Sequence, residues 1–109
     1  MADLTGKTLD ELFAVIASRK GGDPASSYTA TLLAGGPAAI VKKLGEETIE
    51  TLIEGLKGDG ARLAEESADL LYHLLVLWAA AGVAPEQVWR ALEARKGTSG
   101  ITEKASRKP

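Results

Sequence analysis

The chain has no cysteine. Disulfides, thiolate chemistry and cysteine-ligated zinc are therefore excluded, and the composition suits a reducing cytoplasm, the location expected here. Charge of one sign is also lacking: 13 basic residues stand against 15 acidic ones, a net charge of −2. Nothing in that balance marks a polyanion binder, so no nucleic-acid partner is expected. The start, Met1-Ala-Asp-Leu-Thr-Gly-Lys, lacks the basic and apolar regions of a signal peptide. The longest apolar stretch, Leu70 to Ala81, includes His73. It falls short of the roughly 20 apolar residues a bilayer span needs, so no membrane partner is expected and the stretch reads as a buried helix. No alternating strand pattern and no internal repeat is present.

What is present is an ordinary soluble composition, 45% hydrophobic and 26% charged, over 109 residues. That length implies one small domain with a thin core, for which self-association is a natural remedy. The expected architecture is all-α, a bundle of about five helices. A first helix opens on Thr8-Leu-Asp-Glu11, which reads as a capping box, and stops at Gly21-Gly22-Asp23-Pro24. Ser26 or Ser27 caps a short second helix from Tyr28 to Leu33, ended by Gly35-Gly36. Pro37 suits the first position of a third helix, whose apolar stripe is Ile40, Leu44, Ile49, Leu52, Ile53 and Leu56. After the turn Gly58-Asp59-Gly60, a fourth helix runs to Ala81, and Pro85 opens a fifth through Arg95. The domain is thus expected over residues 1–95. The basic tail, 96–109, shows no apolar periodicity beyond Ile101 and is expected to be irregular. Past Leu70 the fourth helix is apolar nearly all round. It asks for more cover than one hairpin provides, including a second copy of the chain.

The chemistry lies in two acidic clusters, Glu46-Glu47-x-x-Glu50 and Glu66-x-x-Asp69. The pairs Glu47/Glu50 and Glu66/Asp69 have i,i+3 spacing, which puts both carboxylates of a pair on one helix face. Glu50 lies about two turns before the Gly58 turn, and Asp69 about two turns after it. An antiparallel hairpin brings the pairs level. Together they form an oxygen cage suited to a hard divalent cation such as Mg²⁺. Any single Glu in such a stretch is an ordinary solvated residue. The ensemble is not, because Asp69 leads straight into apolar sequence where a lone carboxylate is costly to desolvate.

Around the cage stand Arg19, Lys20, Lys42 and Lys43, with Lys96, Lys104, Arg107 and Lys108 in the tail. A phosphate-rich ligand on the metal would need such cations. Lys43 is the best placed, one turn before Glu47. His73, the single histidine, continues the Glu66/Asp69 stripe and reads better as a satisfied neighbour than as a metal ligand. Gly45, inside a helix, marks either close approach of a substrate or tight helix packing. Trp78 and Trp89 sit in apolar phase, as core or interface residues.

These residues resemble the signature of the all-α nucleoside triphosphate pyrophosphatases, the group that includes the MazG proteins and the dimeric dUTPases. Within that group, Ser27-Tyr-Thr-Ala30, Lys43-Leu-Gly-Glu-Glu47, Glu50 and Glu66-Ser-Ala-Asp-Leu-Leu-Tyr-His-Leu-Leu-Val76 are most similar to the phosphoribosyl-ATP pyrophosphatases of histidine biosynthesis. The resemblance spans roughly residues 9 to 95. It implies a MazG-like fold completed by homodimerisation. It also implies Mg²⁺-dependent hydrolysis of a nucleotide, phosphoribosyl-ATP, to phosphoribosyl-AMP and pyrophosphate. Carried over residue by residue, Glu47, Glu50, Glu66 and Asp69 are the metal ligands. Glu46, which points about 100° from Glu47, is the candidate general base, or ligand to a second metal. Lys43, Arg19 and Lys20 are phosphate contacts. The alternatives are a house-cleaning nucleotide pyrophosphatase with the same cage and a non-enzymatic helical interaction module.

Overall fold

The computed structural model describes residues 4–107. Among them are five helices and no strand: α1 (Lys7–Ser18), α2 (Tyr28–Lys57), α3 (Gly60–Ala81), α4 (Pro85–Arg95) and α5 (Gly100–Ser106). The chain is all-α, as its periodicities require.

Most helix ends sit where local chemistry puts them. Ser27 has extended backbone and its hydroxyl accepts from the Ala30 N–H at 3.1 Å, so it is the cap of α2. Gly36 breaks α2, with φ 83° and ψ 176°. Residues 28–35 and 37–57 are therefore two helical segments, with Pro37 opening the second as its missing N–H allows. Gly58, at φ 75°, closes α2, and the Asp59 carboxylate caps α3 by accepting from the Arg62 N–H at 3.1 Å. Gly82 closes α3 in the same left-handed conformation.

Two ends depart from expectation. Thr8 is not a cap: α1 begins one residue earlier, and the Lys7 N–H donates to Thr5 Oγ1 at 3.2 Å. The Thr5-Gly6 turn thus serves the first orphan amides, leaving Thr8 inside the helix. The tail is not wholly irregular either, since α5 forms there. Ser99 Oγ accepts from the Thr102 N–H, and Glu103 pairs with Arg107 one turn on and with Arg95 of α4. Charge and capping hold this helix without an apolar stripe.

α2 and α3 form a long antiparallel hairpin, and α1 lies along α3. The core is small: Ile16 from α1, Leu32 and Ile40 from α2, and Leu75 and Val76 from α3. Trp78 and Trp89 meet edge-on at 5.8 Å, and the Trp89 indole N–H donates to Asp10 Oδ1 at 2.7 Å, joining α4 to α1. The stripe expected along α2 is buried only at its start. Ile40 is fully buried, whereas Ile49, Leu52, Ile53 and Leu56 are 59%, 62%, 44% and 91% exposed. The uncovered apolar face therefore lies mainly on the outer half of α2, while α1, α2 and α4 shield much of α3. No single described helix is long and apolar enough to cross a membrane.

Candidate metal centre

The hairpin turn sets the register of the acidic residues. Counted outward from Gly58 and Asp59, Glu47 on α2 comes level with Glu66 and Asp69 on α3. One carboxylate oxygen from each of these residues lies within 4.8 Å of the others. Thr51 fixes the two helices at this level. Its hydroxyl is placed to donate to the backbone carbonyls of Glu47, at 2.8 Å, and of Glu66 across the hairpin, at 3.2 Å. Sequence reasoning missed Thr51; its only signal was a hydroxyl one turn after Glu47.

Glu47 is buried, at 7% exposure. Its Oε1 faces Lys43 Nζ at 3.8 Å, while its Oε2 is buried without a hydrogen-bond donor. Glu66 shows the same division: Oε1 faces Arg62 at 3.8 Å and Oε2 is buried without a donor. A carboxylate oxygen taken from water and given no donor is costly. Here two such oxygens belong to the same cluster. Burial is the main cause that raises the Glu47 carboxyl above its usual range, with the Glu50 charge next; the Lys43 charge opposes them. Glu66 is raised too, first by burial, then by a hydrogen bond with Glu50 and the charges of Glu50, Asp69 and Glu47. Lys43 and Arg62 each face one oxygen of the cluster, and the carboxylates still outnumber these cations.

A hard cation would offset that excess. Opposed oxygens on one Mg²⁺ stand about 4.2 Å apart, twice a bond of about 2.1 Å. The candidate ligand oxygens of Glu47, Glu66 and Asp69, all within 4.8 Å of one another, are on that scale. Orphaned oxygens, a donor set made only of carboxylates and raised carboxyl pKa values all fit a divalent hard metal. Glu50 is exposed and lies outside this three-residue cluster, although its charge acts on both Glu47 and Glu66.

The remaining cations divide. Lys43 bridges towards both Glu46, at 3.6 Å, and Glu47, so it is at the site. Lys20 is not. It lines a shallow cavity with Gly21, Gly22 and Ala80, and Ala80 lies about 16 Å along α3 from Asp69 at 1.5 Å per residue. Arg19, the C-cap of α1, belongs to the same end. Within one chain the fold does not bring Arg19 or Lys20 to the carboxylates.

Residues 9–96 match the family model described as Phosphoribosyl-ATP pyrophosphohydrolase. The chain belongs to this family. A phosphoribosyl-ATP pyrophosphatase of Azospirillum brasilense is 55% identical over 105 residues, covering 96% of this chain and 95% of the relative. One of Parvibaculum lavamentivorans is 59% identical over 99 residues, 91% of each chain. One of Paramagnetospirillum magneticum is 57% identical over 101 residues, 93% of each chain.

In this phosphoribosyl-ATP pyrophosphohydrolase fold His73 is a satisfied neighbour of the cluster. It is buried, its Nδ1 lies 2.7 Å from the Asp69 carbonyl oxygen, and its Nε2 lies 3.1 Å from the Tyr28 hydroxyl. Gly45 has open space around it: an added Cβ would meet nothing within 4 Å in this chain. Tight packing inside the chain does not explain that glycine.

Proposed function

We propose that the chain hydrolyses phosphoribosyl-ATP at its α–β phosphoanhydride, releasing phosphoribosyl-AMP and pyrophosphate, as a step of L-histidine biosynthesis in the cytoplasm. The observation that carries the reading is the pair of buried, donor-less oxygens of Glu47 and Glu66 beside Asp69, in a chain of this family. The proposed cofactor is Mg²⁺, held by Glu47, Glu50, Glu66 and Asp69. When bound, it would neutralise charge developing on the phosphates and favour a reactive water. Lys43 faces the cluster and holds phosphate oxygens. Glu46 shares Lys43 with Glu47 and, half-exposed, is free to take a proton from the attacking water at its carboxylate. The water oxygen forms a bond to phosphorus as the bridging P–O bond breaks, and pyrophosphate carries off the bonding pair. Arg19 and Lys20 serve as phosphate contacts delivered by a second subunit of a homodimer.

The test is turnover by purified protein with Mg²⁺, offered phosphoribosyl-ATP beside a panel of NTPs and dNTPs. Pyrophosphate release from phosphoribosyl-ATP, falling at least about 100-fold in Asp69→Asn and Glu50→Gln with helicity intact, is the expected result. Turnover of dNTPs alone would assign the house-cleaning role. Full activity in both variants would remove the metal assignment.

A further inference from the structure

The contact between His73 and Tyr28 has a direction that can be deduced. A nitrogen 2.7 Å from a carbonyl oxygen must carry a hydrogen, because two acceptors at that distance repel. His73 Nδ1 is therefore protonated and donates to the Asp69 carbonyl. In the neutral ring Nε2 is then an acceptor, and the Tyr28 hydroxyl donates to it at 3.1 Å. Having given its one hydrogen away, the Tyr28 oxygen can still accept, on a residue that is 52% exposed.

This bond joins parts of the molecule that the helix does not. The break at Gly36 separates segment 28–35 from the helix bearing Lys43 and Glu47. That segment is tied to α3 near the acidic cluster by Tyr28 on His73, by Thr29 Oγ1 on the Tyr72 hydroxyl, and by ring packing. Tyr28 and Tyr72 stack at 6.2 Å, and Tyr72 meets His73 edge-on at 4.9 Å. Tyr28 lies within electrostatic reach of Lys43, Glu47 and Asp69. Through His73 it is linked to the backbone carbonyl of Asp69, and it is partly open to solvent with its hydroxyl aimed by a buried histidine.

We propose that His73 is a positioning residue for Tyr28, and that Tyr28 forms a wall of the nucleotide cleft beside Lys43, contacting substrate rather than metal. The inference rests on the nucleotide-hydrolase reading of the same cluster. Tyr28→Phe keeps the ring and its packing and removes only the aimed hydroxyl. It should raise KM for phosphoribosyl-ATP about three- to tenfold, the worth of one hydrogen bond, and change kcat less than about twofold. The Mg²⁺ concentration for half-maximal rate should stay put. His73→Gln, which loses the ring geometry at Nε2, should give a similar KM, and the double variant should be no worse than the worse single one. Additive effects, or kcat falling with KM unchanged, would overturn the assignment.

A second readout does not depend on activity. The histidine ¹⁵N spectrum should show His73 protonated at Nδ1 with Nε2 accepting, and in Tyr28→Phe the Nε2 signal should move towards that of an unbonded nitrogen. If Nε2 does not respond, the pair itself is wrong. If it responds while the wild-type chain never turns over phosphoribosyl-ATP, the pair stands, its assignment to a substrate cleft falls, and the fault lies with the proposed reaction.

Discussion

A buried carboxylate without a donor makes the fold prefer a proton or a cation, and at Glu47 the sign of that preference can be tested. Burial and the Glu50 charge raise its pKa in the folded protein. The folded state therefore holds the proton more tightly than the unfolded chain does. The resulting stability is complete below the ordinary Glu range and is lost as pH rises through the raised value. Glu47→Gln imitates the protonated acid at every pH. In EDTA, its urea midpoint should match the parent at about pH 4 and exceed it by about pH 7.5, with the gap growing between them. Adding Mg²⁺ should reverse the order, because the parent gains about 2.7 kcal/mol at a hundredfold excess over Kd and the variant loses most of that gain. A gap that shrinks with rising pH would contradict the buried-charge account. Glu47, Glu66 and Asp69 were legible in the sequence because helical period and a short turn together fix register. Arg19 and Lys20 were not. They sit at the end of α1 and in the loop after it, where no periodicity says which end of the bundle the chain reaches.

The elements turn on Gly36. Its φ of 83° with ψ of 176° lies in a region essentially reserved for glycine. Gly58, with φ 75° and ψ 16°, is an ordinary left-handed cap that Asn also adopts. The same substitution should therefore behave differently at the two sites. Gly36→Asn should cost about 1–3 kcal/mol, whereas Gly58→Asn should cost well under 1 kcal/mol. Thermal unfolding followed by circular dichroism separates these, as each kcal/mol moves Tm by about 4–8 °C in a domain near this size. Equal losses would mean that the break is not fixed by backbone conformation. Gly36→Asn should also impair substrate binding, because Gly36 aims the segment that carries Tyr28. This boundary was readable from Gly35-Gly36-Pro37, since each residue acts on its own backbone. The start of α1 and the helix in the tail were not. Thr8-Leu-Asp-Glu11 has the letters of a capping box, but the Thr5-Gly6 turn claims the amides first. α5 rests on the Arg95–Glu103–Arg107 charges, which join residues of two elements and leave no periodic trace.

At the scale of the whole molecule the single chain leaves an apolar stripe uncovered. A compact monomer of 11.4 kDa should expose about 5,800 Å², but this one exposes 7721 Å². Its radius of gyration is 15.9 Å, against about 13 Å for a compact domain of this length. Part of the exposed apolar surface lies on the outer half of α2, where Ile49, Leu52, Ile53 and Leu56 are exposed in helical phase beside the acidic stripe. Fully burying such side chains is worth about 1.5–3 kcal/mol each. A second copy laid on this face would hide the apolar stripe and fill the open space at Gly45. Leu52→Lys should then leave a monomer in sedimentation at tens of micromolar, where the parent runs at twice the chain mass. Pyrophosphate release should fall with dimer content, although Leu52 itself holds neither metal nor substrate in the proposed site. A parent chain that sediments as a monomer and still turns over would show the site to be complete in one copy. Arg19 and Lys20 would then have no part in it.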